Sequence, residues 1–402
     1  LARPPMIVQS VKKAAAGPAL RISLRIVSKK DATPVAGATV IAFTDFAQGI
    51  GAQGKTNTQG KVLLSLGGSS AKVQRLYVYP LRHCWGLLKK NITVTSGDSF
   101  ALRPISFPFV DSLAQFYGAG AATDGSGVKV GVIDTGSGPH PDLVIAGGEN
   151  TVPGELPTDF HDNGDRHGTH VAGIIGARGT APTGRTGVAP GTTVMSFRVF
   201  GQGTDEASNF AIAKAIDRAA AANCDLINMS LGGGGHDEAI SSAIADARAK
   251  GVAVIIAAGN DDRSQVSFPA SDARAIAVSA IGRKGTFPTE STEKGDVARP
   301  FASTDARNFI AAFSNIGPEI DVTGPGVGIV STVPGGYASM SGTSMACPVV
   351  TGFAARLLAG NSAILNSMPR DESRSDAIIQ LLLTSAKLLG FGADFEGHGL
   401  PK

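Results

Sequence analysis

Apolar and polar positions change rhythm partway along this chain. Residues 1 to about 105 carry short or alternating apolar runs, "LRISLRIV", "ATVIAF", "KVLLSL" and "RLYVYP", parted by Gly, Asn, Thr and Pro-Val turns. Alternation with period two marks half-buried strands, and the pattern predicts a small antiparallel β-sandwich. From about Gly127 short β-branched runs alternate with helical periodicity. The strands expected are "VKVGVID", "TTVMSFRVF", "CDLINMS", "GVAVIIAA" and "AIAVSAI". The helices among them are "ASNFAIAKAIDRAAAA", with Ile212, Ile216 and Ala219 on one face, and "DEAISSAIADARAK". Such alternation predicts a parallel sheet covered by helices on both faces, an α/β domain. Two more helices are expected, from Thr343 to about Ala359 and from Ser373 to about Leu388. The polar tract from Gly282 to Asn308 has no period and reads as a surface loop, and "GFGADFEGHGL" reads as an irregular tail. The predicted division is a β-sandwich over 1–105, a linker over 106–126 and an α/β domain over 127–402.

Composition narrows the function classes. A chain of 402 residues exceeds the size at which one core stops growing, which agrees with two domains. At 43% apolar and 17% charged residues it can bury a large core and is not disordered overall. A net charge of +3, with no run of Lys and Arg concentrating it, argues against a nucleic-acid partner. The longest clearly apolar run, Val252 to Ala258, is far too short to span a bilayer. Cys84, Cys224 and Cys347 make no disulfide framework and read as small buried hydrophobes. Leu1 as first residue leaves room for an upstream signal or pro-segment.

The ends of the predicted strands carry the candidate chemistry, since open α/β sheets place functional groups at the carboxyl ends of their strands. Asp134 ends "VGVIDTG" and is either a turn or cap residue or an acid awaiting a partner. His167, in "DRHGTHVAGIIGA", precedes a helix rich in small residues (Gly168, Ala172, Gly173 and Gly176). A helix start disfavours imidazolium, which suits a neutral imidazole that accepts a proton. His161, Asp162, His167 and His170 allow a rival reading as a metal site, although their spacing matches no zinc motif. Asn260 ends "IIAAGN", where its amide could donate to an oxyanion or simply occupy a turn. "SMSGTSMACP" then offers Ser339, Ser341, Thr343, Ser344 and Cys347 as nucleophiles, with Ser341 or Thr343 able to cap the following helix. Ala346 replaces the second Gly of a G-x-S-x-G elbow, which argues against a lipase or esterase.

In the order "VIDTG", "HPDL", "HGTHVAG", "GVAP", "NMSLGG", "AAGN", "FSN-x-G", "PG" and "SGTSMACP", these pieces resemble the subtilases, the subtilisin-like serine peptidases, over about Gly127 to Gly352. The resemblance implies a subtilisin-like fold and a serine endopeptidase that hydrolyses peptide bonds through an acyl-enzyme. It implies Ser344 as nucleophile, His167 as general base and then acid, and Asp134 as support of the imidazolium. Asn260 and the Ser344 N–H would form the oxyanion hole. Ser230, Leu231, Gly232 and Gly233 look like one substrate-pairing strand, and Gly201, Gln202 and Gly203 like the other. Ala257, Ala258 and Gly259, with Gly232 and Gly233, would line an open pocket for the side chain before the scissile bond. Cys347, one helical turn beyond Ser344, is expected to face packing.

Further expectations follow from that resemblance. Catalysis requires no cofactor. Calcium binding is possible, but its usual loop, here "RGTAPTGRT" with help from Asp142, has two arginines and no Asn or Asp, which suits a hard dication poorly. Partners are protein or peptide substrates, and a secreted or extracytoplasmic location is expected. Many subtilases begin with an α/β pro-domain; here "PVAGATVIAFTDFAQGIGAQGKTNTQGKVLLSL" instead resembles the sandwich modules related to carboxypeptidase regulatory domains. That domain is expected to pack on, or to regulate, the catalytic one. The alternatives are a catalytically silent binding module and a metal-dependent hydrolase using the cluster from His161 to His170.

Overall fold

The N-terminal strands form two sheets that close on one apolar core. One contains, in spatial order, Lys12–Lys13, Ile50–Lys55, Thr39–Asp45, Ser70–Tyr79 and Leu87–Thr95; the other contains Lys61–Ser65, Arg21–Ser28 and Ser99–Leu102. Ile22, Leu24 and Ile26 of one sheet and Val40, Val73 and Val78 of the other meet in the shared core. This computed structural model describes residues 11–13, 21–179 and 184–402. The sheets are not wholly antiparallel, as the alternation had suggested: Arg21–Ser28 runs parallel to Ser99–Leu102. Alternation reports which face is buried and carries no information on the direction of a neighbour.

The second unit is built on a nine-stranded sheet. Its central run, Ile145–Asn150, Thr193–Arg198, Lys129–Asp134, Leu226–Met229, Ala253–Ala257 and Ile276–Arg283, is parallel throughout. Five of those strands match the expected runs. On one face lie Asn209–Ala221 and Glu238–Ala249, capped by Ser208 and Asp237, whose side chains accept from the N–H groups of Ala211 and Ile240. On the other lie His167–Gly176 and Thr343–Ala359, both largely surrounded by core. A helix buried on all sides tolerates small residues and few charges, which is the composition of "HGTHVAGIIG".

The tract over 282–308 departs from the expected loop. It holds the strand Val297–Phe301, which pairs antiparallel with Asn308–Ala311 at the sheet edge. Pro300 and the flanking charges broke the period there. The hairpin Ile329–Val333 with Gly336–Met340, which leads into the last core helix, was likewise unmarked in the sequence. Nor is the tail irregular. Glu396 is buried and its carboxylate accepts the N–H groups of Leu389 (2.6 Å), Gly390 (2.9 Å) and Phe391 (2.7 Å).

The two units share a core. Trp85, on the sandwich side, is 1% exposed and belongs to the apolar cluster that contains Val327, Ile329 and Met340. Its ring meets Phe109 edge-on at 5.4 Å. Main-chain bonds cross the boundary from His83 N–H to Tyr337 O (2.7 Å) and from Leu88 N–H to Glu290 O (2.8 Å).

Candidate active site

Three neighbouring strands of the parallel run, Lys129–Asp134, Leu226–Met229 and Ala253–Ala257, deliver Asp134, Ser230 and Asn260 to the same edge of the sheet. His167 is the first residue of its helix, whose start lies against the turn after Asp134. Gly168 permits this approach, because a Cβ there would stand 2.2 Å from the Gly136 carbonyl oxygen and 3.2 Å from Asp134 Cβ. Asp134 and His167 are each 1% exposed, and Asp134 Oδ1 lies 2.7 Å from His167 Nδ1. A carboxylate can only accept, so Nδ1 carries a proton, and in the neutral ring the lone pair is then on Nε2. Asp134 Oδ1 also accepts the Thr135 N–H at 2.7 Å, which fixes the carboxylate plane.

Ser344 is the second residue of Thr343–Ala359, in the first turn, where no earlier carbonyl of the helix is in reach of its N–H. Its Oγ donates to Ser230 O at 3.3 Å, and Ser230 Oγ donates in return to Ser344 O at 2.9 Å. Asn260 faces the same helix start. Its Oδ1 accepts from both the N–H (2.8 Å) and the hydroxyl (2.9 Å) of Thr343. Because a backbone N–H is an unambiguous donor, the amide has its oxygen on Thr343 and its Nδ2 turned the other way. Thr343 Oγ1 in turn accepts the N–H of Gly259 at 3.2 Å. Sequence reasoning had assigned Thr343 or Ser341 to helix capping, but Gly342 occupies the cap and no side chain bonds there. Ser341 Oγ accepts instead from Gly328 N–H at 3.0 Å.

The expected substrate segments differ from one another. Ser230–Gly233 continues the Leu226–Met229 strand as irregular chain, with Leu231 buried and Gly233 N–H already bonded to Phe268 O at 2.9 Å. Gly201–Gly203 is a turn and not a strand. Gly203 takes a left-handed φ of 72°, Gln202 N–H bonds Glu155 Oε1 (2.9 Å), and Gly201 O accepts from Asn163 Nδ2 (2.9 Å). The expected open pocket is also changed. The side chains of Ala257 and Ala258 are fully buried, in opposite cores. Gly259, at φ 109°, faces Asn315 Nδ2 and Ser267 Oγ, which a Cβ would meet at 2.4 and 2.6 Å. Asn315 Nδ2 bonds Asp261 Oδ2 and Ser267 Oγ, both at 3.0 Å, making a polar wall. Asn315 stands in the piece "FSN-x-G", but nothing in the sequence assigned it, Ser267 or Asp261 to the site.

The rival metal cluster does not assemble. His170 is fully buried with Nε2 3.1 Å from both Ile329 O and Ala338 O, and burial pushes its imidazole down to about 3. Asp162 spends its carboxylate on the Thr169 hydroxyl (2.6 Å) and the N–H groups of Gly164 and Arg166. His161 lies at the surface beside Phe160. Among the described residues no three potential ligands gather. Cys347 is buried against Asn228 Oδ1 (3.2 Å) and Ile255 O (3.3 Å), and burial pushes its thiol well up. Burial also raises Cys84 to about 11 and Cys224 to about 12, so none of the three cysteines is poised as a thiolate nucleophile.

Comparison with known proteins matches the subtilase family model to residues 125–399. Subtilisin BL from Lederbergia lenta is 38% identical over 269 residues, covering 67% of this chain and 88% of the relative. Subtilisin Savinase from the same organism is 37% identical with the same coverage. An alkaline protease of Alkalihalobacillus alcalophilus is 37% identical, over 63% of its own length.

Proposed function

The chain belongs to the subtilase family and is a serine endopeptidase, and from that premise we propose how its residues divide the reaction. The reading rests on the 2.7 Å contact between His167 Nδ1 and Asp134 Oδ1, which leaves Nε2 free to act as base beside the helix whose second residue is Ser344. Ser344 Oγ leaves its bond to Ser230 O, gives its proton to His167 Nε2 and bonds to the scissile carbonyl carbon. The carbonyl oxygen becomes an anion held by Asn260 Nδ2 and the Ser344 N–H. Asp134 supports the imidazolium. That cation then protonates the leaving amine as the C–N bond breaks, and water, deprotonated by the same imidazole, releases the acid and restores Ser344.

The peptide lies along Ser230–Gly233 by main-chain pairing, while the turn at Gly201–Gly203 walls the cleft without offering a strand. The residue before the scissile bond meets Gly259 and the polar wall of Ser267, Asn315 and Asp261. The test is peptide hydrolysis by three variants. Ser344→Ala and His167→Ala should lose acyl-enzyme formation, and Asp134→Asn should lower kcat by about 10⁴, the cost of the wrong imidazole tautomer. A Ser344→Ala protein that still hydrolyses peptides would overturn the assignment.

The family's calcium loop does not fit this chain. Asp142 accepts a hydrogen bond from the Tyr337 hydroxyl, whose oxygen in turn accepts the backbone N–H of Arg185 at 3.3 Å, while the Arg185 guanidinium bonds Phe109 O (3.1 Å) and pairs with Asp111 (3.4 Å). The rest of the loop, residues 180–183, lies outside the described residues. We therefore propose an enzyme indifferent to chelators: EDTA should leave both activity and thermal midpoint unchanged, and a fall in either would show a cation at work. The family resemblance supports a secreted or extracytoplasmic location. Among the described residues no helix is long and apolar enough to cross a membrane. Packing on the catalytic unit is the role we assign the sandwich, on the shared core around Trp85.

A further inference from the structure

Three consecutive sandwich residues touch both arms of the active site. Leu81 O accepts from the guanidinium of Arg166, the residue immediately before His167. Arg82 Nη1 donates to Pro334 O at 3.3 Å, and His83 N–H donates to Tyr337 O at 2.7 Å, both in the hairpin that leads to Ser344. Gly336 of that hairpin lies directly against the His83 ring; a Cβ there would stand 2.2 Å from His83 Cε1. Both ends of this contact carry backbone that L-residues rarely adopt, with φ 66° at His83 and 81° at Arg166. Such conformations persist only where the surroundings over-determine them. Arg166 is held on three sides: its N–H bonds Asp162 Oδ1 (3.1 Å), its C=O accepts His170 N–H (3.1 Å), and its side chain reaches the other domain.

From this geometry we infer that Arg166 is a positioning residue through which the sandwich sets His167 relative to Ser344. The inference rests on the triad reading above. A misplacement of about 1 Å in a reacting group can cost on the order of 10²-fold in rate, so a tether at the residue next to the base acts on kcat and not on substrate affinity. The sandwich is on this account a working part of the catalytic unit.

The test uses the full chain. Arg166→Asn tolerates the left-handed backbone but is too short to reach Leu81, whereas Arg166→Lys retains reach and charge. Arg166→Asn is expected to lower kcat about tenfold, with KM within twofold, an unchanged thermal midpoint and a parallel fall in the rate of fluorophosphonate inactivation. Arg166→Lys should recover most of that loss. Lys89→Ala, which removes the 2.5 Å interdomain pair with Glu290, should leave kcat unchanged. Should Arg166→Asn fail to fold, Arg166→Gly, which suits the backbone equally, replaces it. Unchanged kcat, a rise in KM alone, or an equal loss in Lys89→Ala would each overturn the inference. If Ser344→Ala is dead while Arg166→Asn keeps full kcat, only the positioning role fails; an active Ser344→Ala removes the triad reading itself.

Discussion

At the scale of single residues, Thr343 does the least expected work. Its hydroxyl donates to Asn260 Oδ1 while accepting from Gly259 N–H, so one side chain holds the amide proposed to receive the oxyanion. Thr343→Val keeps the shape and removes that hydroxyl. It should lower kcat about fivefold through a looser Asn260, in line with the ~1 kcal/mol of a typical hydrogen bond. Asn260→Ala removes the donor itself and should cost about 10² to 10³ in kcat. Equal effects of the two substitutions on kcat would contradict the division between donor and support. The sequence singles out Asp134, His167, Asn260 and Ser344 because each stands in a short motif whose order is informative, and the structure brings Asp134 to His167 and Asn260 to the start of the helix that carries Ser344. Thr343 was not, because a hydroxyl beside a helix start reads first as a cap, and only the backbone showed Gly342 in that place.

At the scale of elements, the His167–Gly176 helix is coupled to the hairpin Ile329–Val333 and Gly336–Met340 through His170, whose Nε2 faces carbonyls from both of its strands. Burial pushes this imidazole down, the Ala338 and Ile329 carbonyls oppose the shift, His167 and Arg166 add to it, and the group comes to rest at about 3. In the unfolded chain it titrates near its ordinary ~6.5. Between those values the unfolded state binds a proton that the folded state refuses. Stability contributed by neutral His170 is therefore whole above about pH 6.5 and falls by about 1.4 kcal/mol per unit as the pH drops toward 3. Urea unfolding at pH 8, 6 and 5 should show that slope in the wild type and a shallower one in His170→Gln; identical slopes would refute it. The parallel strands could be read from their β-branched runs. The hairpin could not, since its first strand, Ile329–Val333, is buried at every position and shows no alternating face.

For the whole molecule, the sequence divided the chain by rhythm, and the structure joins the parts through Trp85. This is the only tryptophan in the chain, so its fluorescence reports on the domain junction. Urea titration should change that fluorescence and peptidase activity at the same midpoint; fluorescence changing first, with activity retained, would mean the sandwich comes away from a working enzyme. Trp85→Ala should destabilise the enzyme by about 3–5 kcal/mol. In the tract over 282–308 one polar segment meets the sandwich, where Glu290 O accepts the Leu88 N–H and its carboxylate pairs with Lys89, and such polar contacts imitate a solvated loop in the sequence. Peptide hydrolysis by this molecule turns on which of the five candidate nucleophiles between Ser339 and Pro348 reacts. Mass-spectrometric mapping of the wild-type protein after fluorophosphonate treatment reads that directly: the adduct should lie on Ser344 alone and vanish in His167→Ala. An adduct on Ser341, Thr343 or Cys347, or none on the active enzyme, would contradict it.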